Sequence, residues 1–185
     1  MKVLKIAGIV LLGIIAIVVL LGLVAPAEYH AERSILIDAP KELVYTHVRY
    51  WRNWQAWSPW AEQDSSMTVT ISGVDGEIGS VYHWQGDPDI TGLGEMTNTG
   101  FTPDTEVLYD LYFMEPMESS STGYVRLRDA GENKTEVAWG FSGEMAFPWN
   151  VMLLFYSMDD MMQKDFDRGL SLLKAKTEAI YLLAD

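Results

Sequence analysis

Three histidines, His30, His47 and His83, are the side chains of this chain best suited to acid–base chemistry near neutral pH. A hydrolase triad needs one of them beside a nucleophile and a carboxylate. His30 follows the first apolar segment closely, and His47 falls on a predicted helix. His83 lies between Tyr82 and Trp84 on a predicted strand, so the alternation that turns both aromatics inward turns His83 outward. The sequence therefore assigns no catalytic residue.

Other chemical motifs are equally weak. The chain has no cysteine, which excludes a disulfide framework, a thiolate metal site and a cysteine nucleophile. No histidines are clustered at metal-ligand spacing, and the carboxylates of Asp159, Asp160, Asp165 and Asp167 fit a solvated helix face better than a cation site. No glycine-rich phosphate loop leads from a strand into a helix. We therefore expect neither a metal nor a cofactor.

Apolar and aromatic side chains make the better candidate site. Strand alternation and a three-to-four-residue helical spacing place them on two facing surfaces. The predicted ligand-binding residues are Tyr82, Trp84, Met96, Tyr109, Leu111, Val125, Trp139 and Phe141 on strands, and Phe155, Met158, Met162 and Phe166 on a C-terminal helix. They could fill a plain core or line a partly open cavity. The methionines near the helix favour the cavity, because methionine repacks around varied ligands.

Seven strands and several helices must position these residues. Period-two patterns and turn-forming residues predict strands at 29–38, 67–72, 79–85, 92–99, 105–113, 120–129 and 135–144. Short connections indicate an antiparallel meander. A helix is expected to begin near Pro40. Tryptophans spaced by three, from Trp51 to Trp60, predict a small helix that packs its tryptophan face on the core or, alternatively, presents it at a membrane interface or pocket mouth.

After Phe147 and Pro148 the apolar period becomes helical. A single helix to residue 183 would overshoot the sheet, so we predict a break near 157–160, with a short helix before it and a long one after it. The predicted fold is α+β, with a seven-stranded, curled antiparallel sheet wrapped on a long C-terminal helix.

Residues 6–24 contain no charge, polar side chain or proline. At 1.5 Å per residue they span roughly 30 Å, the thickness of a bilayer hydrocarbon core. The segment Ala25-Pro26-Ala27 resembles a signal-peptidase site, but the apolar run exceeds the usual 7–15 residues of a signal peptide. We predict a retained anchor over residues 1–27 and a domain over 28–185. Lys2 and Lys5 precede the span, which favours a cytoplasmic N-terminus and an extracytoplasmic domain.

The charge of the chain excludes one class of partner. The formal net charge is −13, and a nucleic-acid binder needs a basic face, so no nucleic acid is expected. The first 27 residues carry two of the 13 basic side chains and none of the 26 acidic ones, so residues 28–185 have a net charge of −15. Anionic lipid headgroups repel such a domain, and the anchor must hold it at the membrane.

Four local motifs resemble the START-like helix-grip superfamily, in its polyketide cyclase/dehydrase and lipid-transfer (SRPBCC) branch. They are the opening Glu32-Arg33-Ser34-Ile35 with Asp38-Ala39-Pro40, the turn Trp54-Gln55-Ala56-Trp57-Ser58-Pro59-Trp60, the last-strand Trp139-Gly140-Phe141-Ser142-Gly143, and Asp165-Phe166-Asp167-Arg168-Gly169-Leu170 in the closing helix. The resemblance covers roughly residues 29–175. It implies the helix-grip fold, while the family includes lipid carriers, ligand binders, cyclases and members with no assigned activity.

Three functions fit these observations. The leading hypothesis is a membrane-tethered domain that binds a hydrophobic small molecule or lipid between the sheet and the C-terminal helix. The first alternative is a cyclase- or dehydrase-type enzyme acting on an aromatic or polyketide-like substrate, which needs an inward titratable group such as Glu95, Asp110 or His83. The second alternative is an accessory subunit of a membrane-protein complex, with an exposed apolar surface around Trp51–Trp60.

Overall fold

A computed structural model describes residues 2–184. The chain begins with the apolar helix α1 (Lys2–Val24), followed by β1 (Glu28–Ile37) and the short helices α2 (Lys41–Arg49), α3 (Trp51–Trp54) and α4 (Pro59–Gln63). Six strands follow: β2 (Thr68–Ser72), β3 (Val81–Gln85), β4 (Leu93–Thr102), β5 (Glu106–Glu115), β6 (Ser119–Asp129) and β7 (Thr135–Glu144). A 3-10 helix (Trp149–Leu154) precedes the long helix α5 (Met158–Ala184).

The strands form one seven-stranded antiparallel sheet in the order β1-β7-β6-β5-β4-β3-β2. The predicted meander is thus confirmed, with β1 closing it beside β7. One end of the sheet, here called the anchor end, carries the start of β1, the end of β7, the β5–β6 hairpin and the β3–β4 loop (86–92). Because three residues separate α1 from β1, the apolar helix joins the domain at this end.

The long helix α5 covers the inner face of the sheet, and the predicted break before it is confirmed. Phe166, Leu170 and Leu173 are buried on its sheet-facing side. Its start is fixed to β1 by Arg33, whose Nη1 donates to both carboxylate oxygens of Asp159 at 2.7 Å. These hydrogen bonds lower the pKa of the Asp159 carboxyl. The predicted helix-grip architecture is confirmed.

The tryptophans of the short helices belong to the core. Trp51, Trp54 and Trp57 are almost fully buried, and each indole N–H donates to a backbone carbonyl: that of Ser80 at 3.1 Å, Val48 at 2.7 Å and His47 at 3.2 Å, respectively. Their polar groups are satisfied where they lie. The prediction that these tryptophans pack on the core is therefore confirmed, and these three side chains form no exposed patch.

The N-terminal helix stands apart from this core. Within residues 2–184, α1 is the one helix long and apolar enough to cross a membrane. Gly22 is its buried residue, and the rest of its surface is mostly exposed. An apolar helix that is exposed over most of its surface in the folded chain is not a core helix of a soluble domain. Its length and composition fit either a membrane span or a signal sequence.

Candidate functional site

An apolar cavity of about 320 Å³ lies between the inner face of the sheet and α5. Such a volume falls at the lower end of the roughly 300–1,000 Å³ of small-molecule sites. Its walls come from three parts of the fold: the sheet, the tryptophan-bearing short helices and the first turns of α5. Most lining groups are apolar; the polar ones include Tyr29, Ser58, Ser121 and Asp165.

Aromatic rings of β5, β7 and α5 form one wall. Trp139 stacks on Phe166 with 4.4 Å between ring centroids, and its Nε1 donates to the hydroxyl of Tyr109 at 2.9 Å. Tyr109 can lie flat on β6 because Gly123 faces it: any Cβ at Gly123 would overlap the ring. Burial raises the pKa of Tyr109, so this phenol stays protonated and fixes the indole.

A second wall is formed by β3, β4 and the loop between them. Trp84 rests against Gly94, where a Cβ would overlap its ring, and its Nε1 donates to the carbonyl of Thr91 at 3.0 Å. Phe113 of β5 packs edge-on against Trp84, with 5.4 Å between ring centroids. Ile90 carries this wall out to the protein surface.

The carboxylate of Asp64 fixes the β3–β4 loop. It accepts hydrogen bonds from the side chain of Ser66 at 2.6 Å, the side chain of Thr91 at 2.5 Å and the backbone N–H of Asp87 at 2.8 Å. These donors hold the pKa of Asp64 well below the usual carboxyl range. An ionised Asp64 therefore keeps Ile90 and Thr91 in place at the cavity edge.

Ten of the twelve predicted binding residues line this cavity. They are Tyr82, Trp84, Met96, Tyr109, Leu111, Trp139, Phe141, Met158, Met162 and Phe166. Their contact with a ligand stays a prediction. The structure separates the other two from the cavity.

Val125 and Phe155 were misplaced for different reasons. Val125 points inward, as alternation requires, but it is fully buried beside Val107 in a part of the sheet covered by α2. Alternation with a period of two residues predicts the face of the sheet on which a side chain lies, but not which element packs over that position. Phe155 is 71% exposed. It lies at the C-terminal end of the 3-10 helix, before α5 begins, so the helical spacing of α5 does not include it.

Several lining residues were missed. Trp54, Trp57 and Trp60 line the cavity, which agrees with the pocket alternative for the tryptophan face, although they were not among the predicted binding residues. The signal that could have found them was their resemblance to the turn of a ligand-binding fold. Phe113 shares the inward face of β5 with Leu111, so alternation alone could have added it.

The acid–base candidates named from the sequence, Glu95, Asp110 and His83, lie on the other face of the sheet. Ser72 Oγ lies 3.2 Å from His83 Nε2, and His83 Nδ1 lies 3.0 Å from Glu95 Oε2. This order of groups is that of a hydrolase triad, but the three side chains face outward. Ser72 and His83 line neither the inner cavity nor a larger groove on the outer face of the sheet. Asp110 is also exposed on the outer face.

The remaining histidines are held in structural contacts. His47 donates Nδ1–H to the carbonyl of Leu43 at 2.9 Å, and His30 Nδ1 lies 3.0 Å from Ser142 Oγ. Over residues 2–184, no group of three or more His, Asp or Glu side chains could hold a metal ion. A wider, more open groove of about 1170 Å³ on the outer face is lined by carboxylates such as Glu28, Glu95 and Glu144, whereas the inner cavity is lined mostly by apolar groups.

Comparison with known proteins identifies the fold. No protein-family model matches the sequence, and no curated protein is significantly similar to it. Solved structures do match. A point mutant of norcoclaurine synthase from Thalictrum flavum, bound to a transition-state analogue, superposes with a TM-score of 0.63 at 8% identity, covering 83% of this chain and 98% of that one.

Two further structures share the architecture. The Zhui aromatase/cyclase from Streptomyces sp. R1128 has a TM-score of 0.55 at 13% identity and covers 82% of this chain and 94% of its own. A protein from Chromobacterium violaceum has a TM-score of 0.59 at 12% identity, covering 80% and 96%. These matches confirm the helix-grip fold that the resemblance to the START-like superfamily predicted.

Proposed function

From the helix-grip fold and its apolar cavity, we propose that this chain is a membrane-tethered domain that binds a hydrophobic small molecule or lipid between the sheet and α5. The observation that carries the proposal is the cavity itself, which remains open although ten large side chains converge on it. A plain core would pack to a density that leaves few voids larger than a water molecule.

The chemistry of the lining supports a binding role. Tyr82 is buried in the cavity wall, and burial raises its pKa, so it is neutral at physiological pH. The hydroxyl groups of Tyr29 and Ser121 form a hydrogen bond with each other, with 2.9 Å between their oxygens. These neutral groups can orient a ligand in a mostly apolar wall, and the one carboxylate of the lining, Asp165, is hydrogen-bonded to Gln63 Nε2 at 2.8 Å.

The enzyme alternative loses its sequence support. It needed an inward titratable group, and Glu95, Asp110 and His83, the examples that the sequence offered, all belong to the outer face. The carboxylate that does line the cavity, Asp165, accepts a hydrogen bond from Gln63 Nε2 at 2.8 Å. The buried tyrosines have raised pKa values, which makes them poor general bases at neutral pH. Binding without turnover is the function that this geometry favours.

A matched pair of substitutions on α5 tests the proposal. Met162 lines the cavity, and its neighbour Met161 is 61% exposed on the other side of the helix. We expect Met162→Trp to fill the cavity and weaken binding of the fluorescent apolar probe N-phenyl-1-naphthylamine by at least about tenfold, or about 1.4 kcal/mol. Met161→Trp should leave the affinity unchanged. Equal affinities in the two variants would place the probe elsewhere and contradict the proposal.

A further inference from the structure

The segment between β7 and α5, residues 145–157, is unusually apolar for such an acidic domain. It contains no charged side chain, although Glu144 and Asp159 stand close on either side of it. Most of its large apolar side chains are exposed. Those exposed are Phe147, Trp149, Met152, Leu154, Phe155 and Tyr156. An exposed apolar patch of this size needs a partner surface.

This segment is fixed to the end of α1. The side chain of Asn150 is buried there, and its Nδ2 donates to the carbonyls of Gly22 at 2.8 Å and Ala25 at 3.2 Å. The ring of Phe147 packs on Gly22 so closely that a Cβ on that residue would lie 2.8 Å from it. The backbone N–H of Met145 donates to the carbonyl of Ala27 at 2.8 Å. The patch therefore lies where α1 would leave a bilayer.

The chemistry of the patch fits the membrane interface. Aromatic side chains with one polar edge, such as Trp149 and Tyr156, concentrate at the headgroup level of bilayers. The net charge of −15 on residues 28–185 gives no electrostatic attraction to lipid, so the uncharged segment is the part of the domain that can enter the interface at low cost.

The cavity reaches the same end of the domain. Tyr29, Ser119 and Met158 line it beside the start of β1, the β5–β6 hairpin and the start of α5, and Ile90 lines it from the β3–β4 loop. All of these belong to the anchor end of the sheet or adjoin it. A bilayer in contact with residues 145–157 would thus face this end of the cavity.

We propose that residues 145–157 lie in the interface of the membrane that α1 spans, and that the cavity takes its ligand, a membrane-dissolved lipid or similar apolar molecule, directly from that leaflet through the anchor end. This inference rests on the proposed tethered binding function. It adds a docking surface, a fixed orientation of the domain and a source for the ligand.

Site-specific labelling tests the docking surface. The chain has no cysteine, so one introduced cysteine carries a nitrobenzoxadiazole label without ambiguity. Phe155→Cys probes the patch, and Ile78→Cys, at a residue 65% exposed in the β2–β3 loop at the opposite end of the sheet, is the matched control. Both are made in the full-length protein, reconstituted in phosphatidylcholine vesicles that contain nitroxide-labelled lipid.

We expect blue-shifted emission and strong nitroxide quenching for the label at 155, and aqueous emission without quenching at 78. A label at 155 that behaves as the one at 78, in protein that resists alkaline carbonate extraction, would overturn the docking surface and leave the proposed function standing. Protein that carbonate removes from the vesicles would overturn the tether as well. In native membranes, protection of position 155 from both nitroxide lipid and aqueous iodide would identify a protein partner and also contradict the proposal.

A kinetic experiment tests the source of the ligand. Trp149→Glu with Phe155→Glu adds two charges to the patch, and Val74→Glu with Ile78→Glu adds two at the opposite end; all four side chains are exposed. Uptake of N-phenyl-1-naphthylamine preloaded in vesicles should slow by about tenfold in the first variant only, because carboxylates resist the interface. The affinity of the Trp149→Glu, Phe155→Glu variant for probe supplied in solution should not change. Equal uptake rates would overturn the inference.

Discussion

The hydroxyl of Tyr109 accepts the hydrogen bond of the buried Trp139 indole N–H in the cavity wall, and the loss of this hydroxyl should lower the stability of the domain. Tyr109→Phe removes the hydroxyl and leaves Trp139 Nε1 without its partner. An unsatisfied buried donor costs about 1–3 kcal/mol. The measurement is the free energy of unfolding from urea denaturation.

Tyr112, on the outer face of the same strand, is the matched control. Its hydroxyl donates to Glu118 in an exposed contact. Tyr112→Phe should change the free energy of unfolding by less than about 0.5 kcal/mol. Equal losses in the two variants would contradict the account of the cavity wall.

Asp64 gives a prediction about pH. Its pKa in the folded state lies below that of the unfolded chain, so its contribution to stability is complete above the ordinary carboxyl pKa of about 4 and is lost as pH falls toward the lowered value. Asp64→Asn should lower the melting temperature at pH 7 and reduce its loss on acidification below pH 4. A variant whose melting temperature falls in parallel with that of the wild type between pH 4 and 2 would rule out this role.

For individual residues, the sequence predicted the face of the sheet on which a side chain lies better than the element that covers it. Alternation correctly turned Tyr109 inward and His83 outward, because side-chain period is a property of the extended backbone itself. It could not tell Val125, which the short helices cover, from Leu111, which the cavity reaches. That difference depends on which element lies over each strand, and no local pattern records it.

Among the elements, α5 contributes most of the cover for the sheet. Leu173, on its sheet-facing side, is fully buried, while Leu183 is exposed near its end. Leu173→Ala should cost about 2–5 kcal/mol, because it leaves a cavity in packed surroundings. Leu183→Ala should cost less than about 0.5 kcal/mol. Urea denaturation of the detergent-solubilised protein measures the loss in free energy of unfolding for both variants. Similar losses would show that the sheet-facing side of α5 is not part of the hydrophobic core.

The helix α1 makes a contrasting prediction. Its buried contact with the domain centres on Gly22, and none of its residues lines the cavity. Removal of residues 1–27 should therefore give a soluble domain with unchanged affinity for N-phenyl-1-naphthylamine in solution. Fluorescence titration checks this, and a soluble but non-binding domain would contradict the division between tether and binding site.

The elements themselves were largely predictable from the sequence. All seven strands were expected within a few residues of their observed bounds, as was the break before α5, because turn residues and a change of period mark them. The exposed course of residues 145–157 was not predicted. Its apolar pattern resembles that of a buried helix, and the pattern does not record that Asn150 fixes the segment to Gly22 and Ala25.

At the scale of the whole molecule, an acidic domain is joined to an apolar helix by three residues. The charge of the domain keeps most of its surface away from anionic lipid. We predict a cytoplasmic N-terminus and an extracytoplasmic domain, on the basis of Lys2 and Lys5. Protease protection of vesicles in which the sidedness is known would test that orientation.

The most direct test of the central claim is native mass spectrometry of the full-length protein, gently extracted from its own membrane, with lipid analysis of what copurifies. We predict one apolar molecule bound to the wild type and to Met161→Trp, retained after removal of residues 1–27, and absent from Met162→Trp. An empty wild-type protein, or an adduct that Met162→Trp does not disturb, would show that the space between the sheet and α5 is not a binding site.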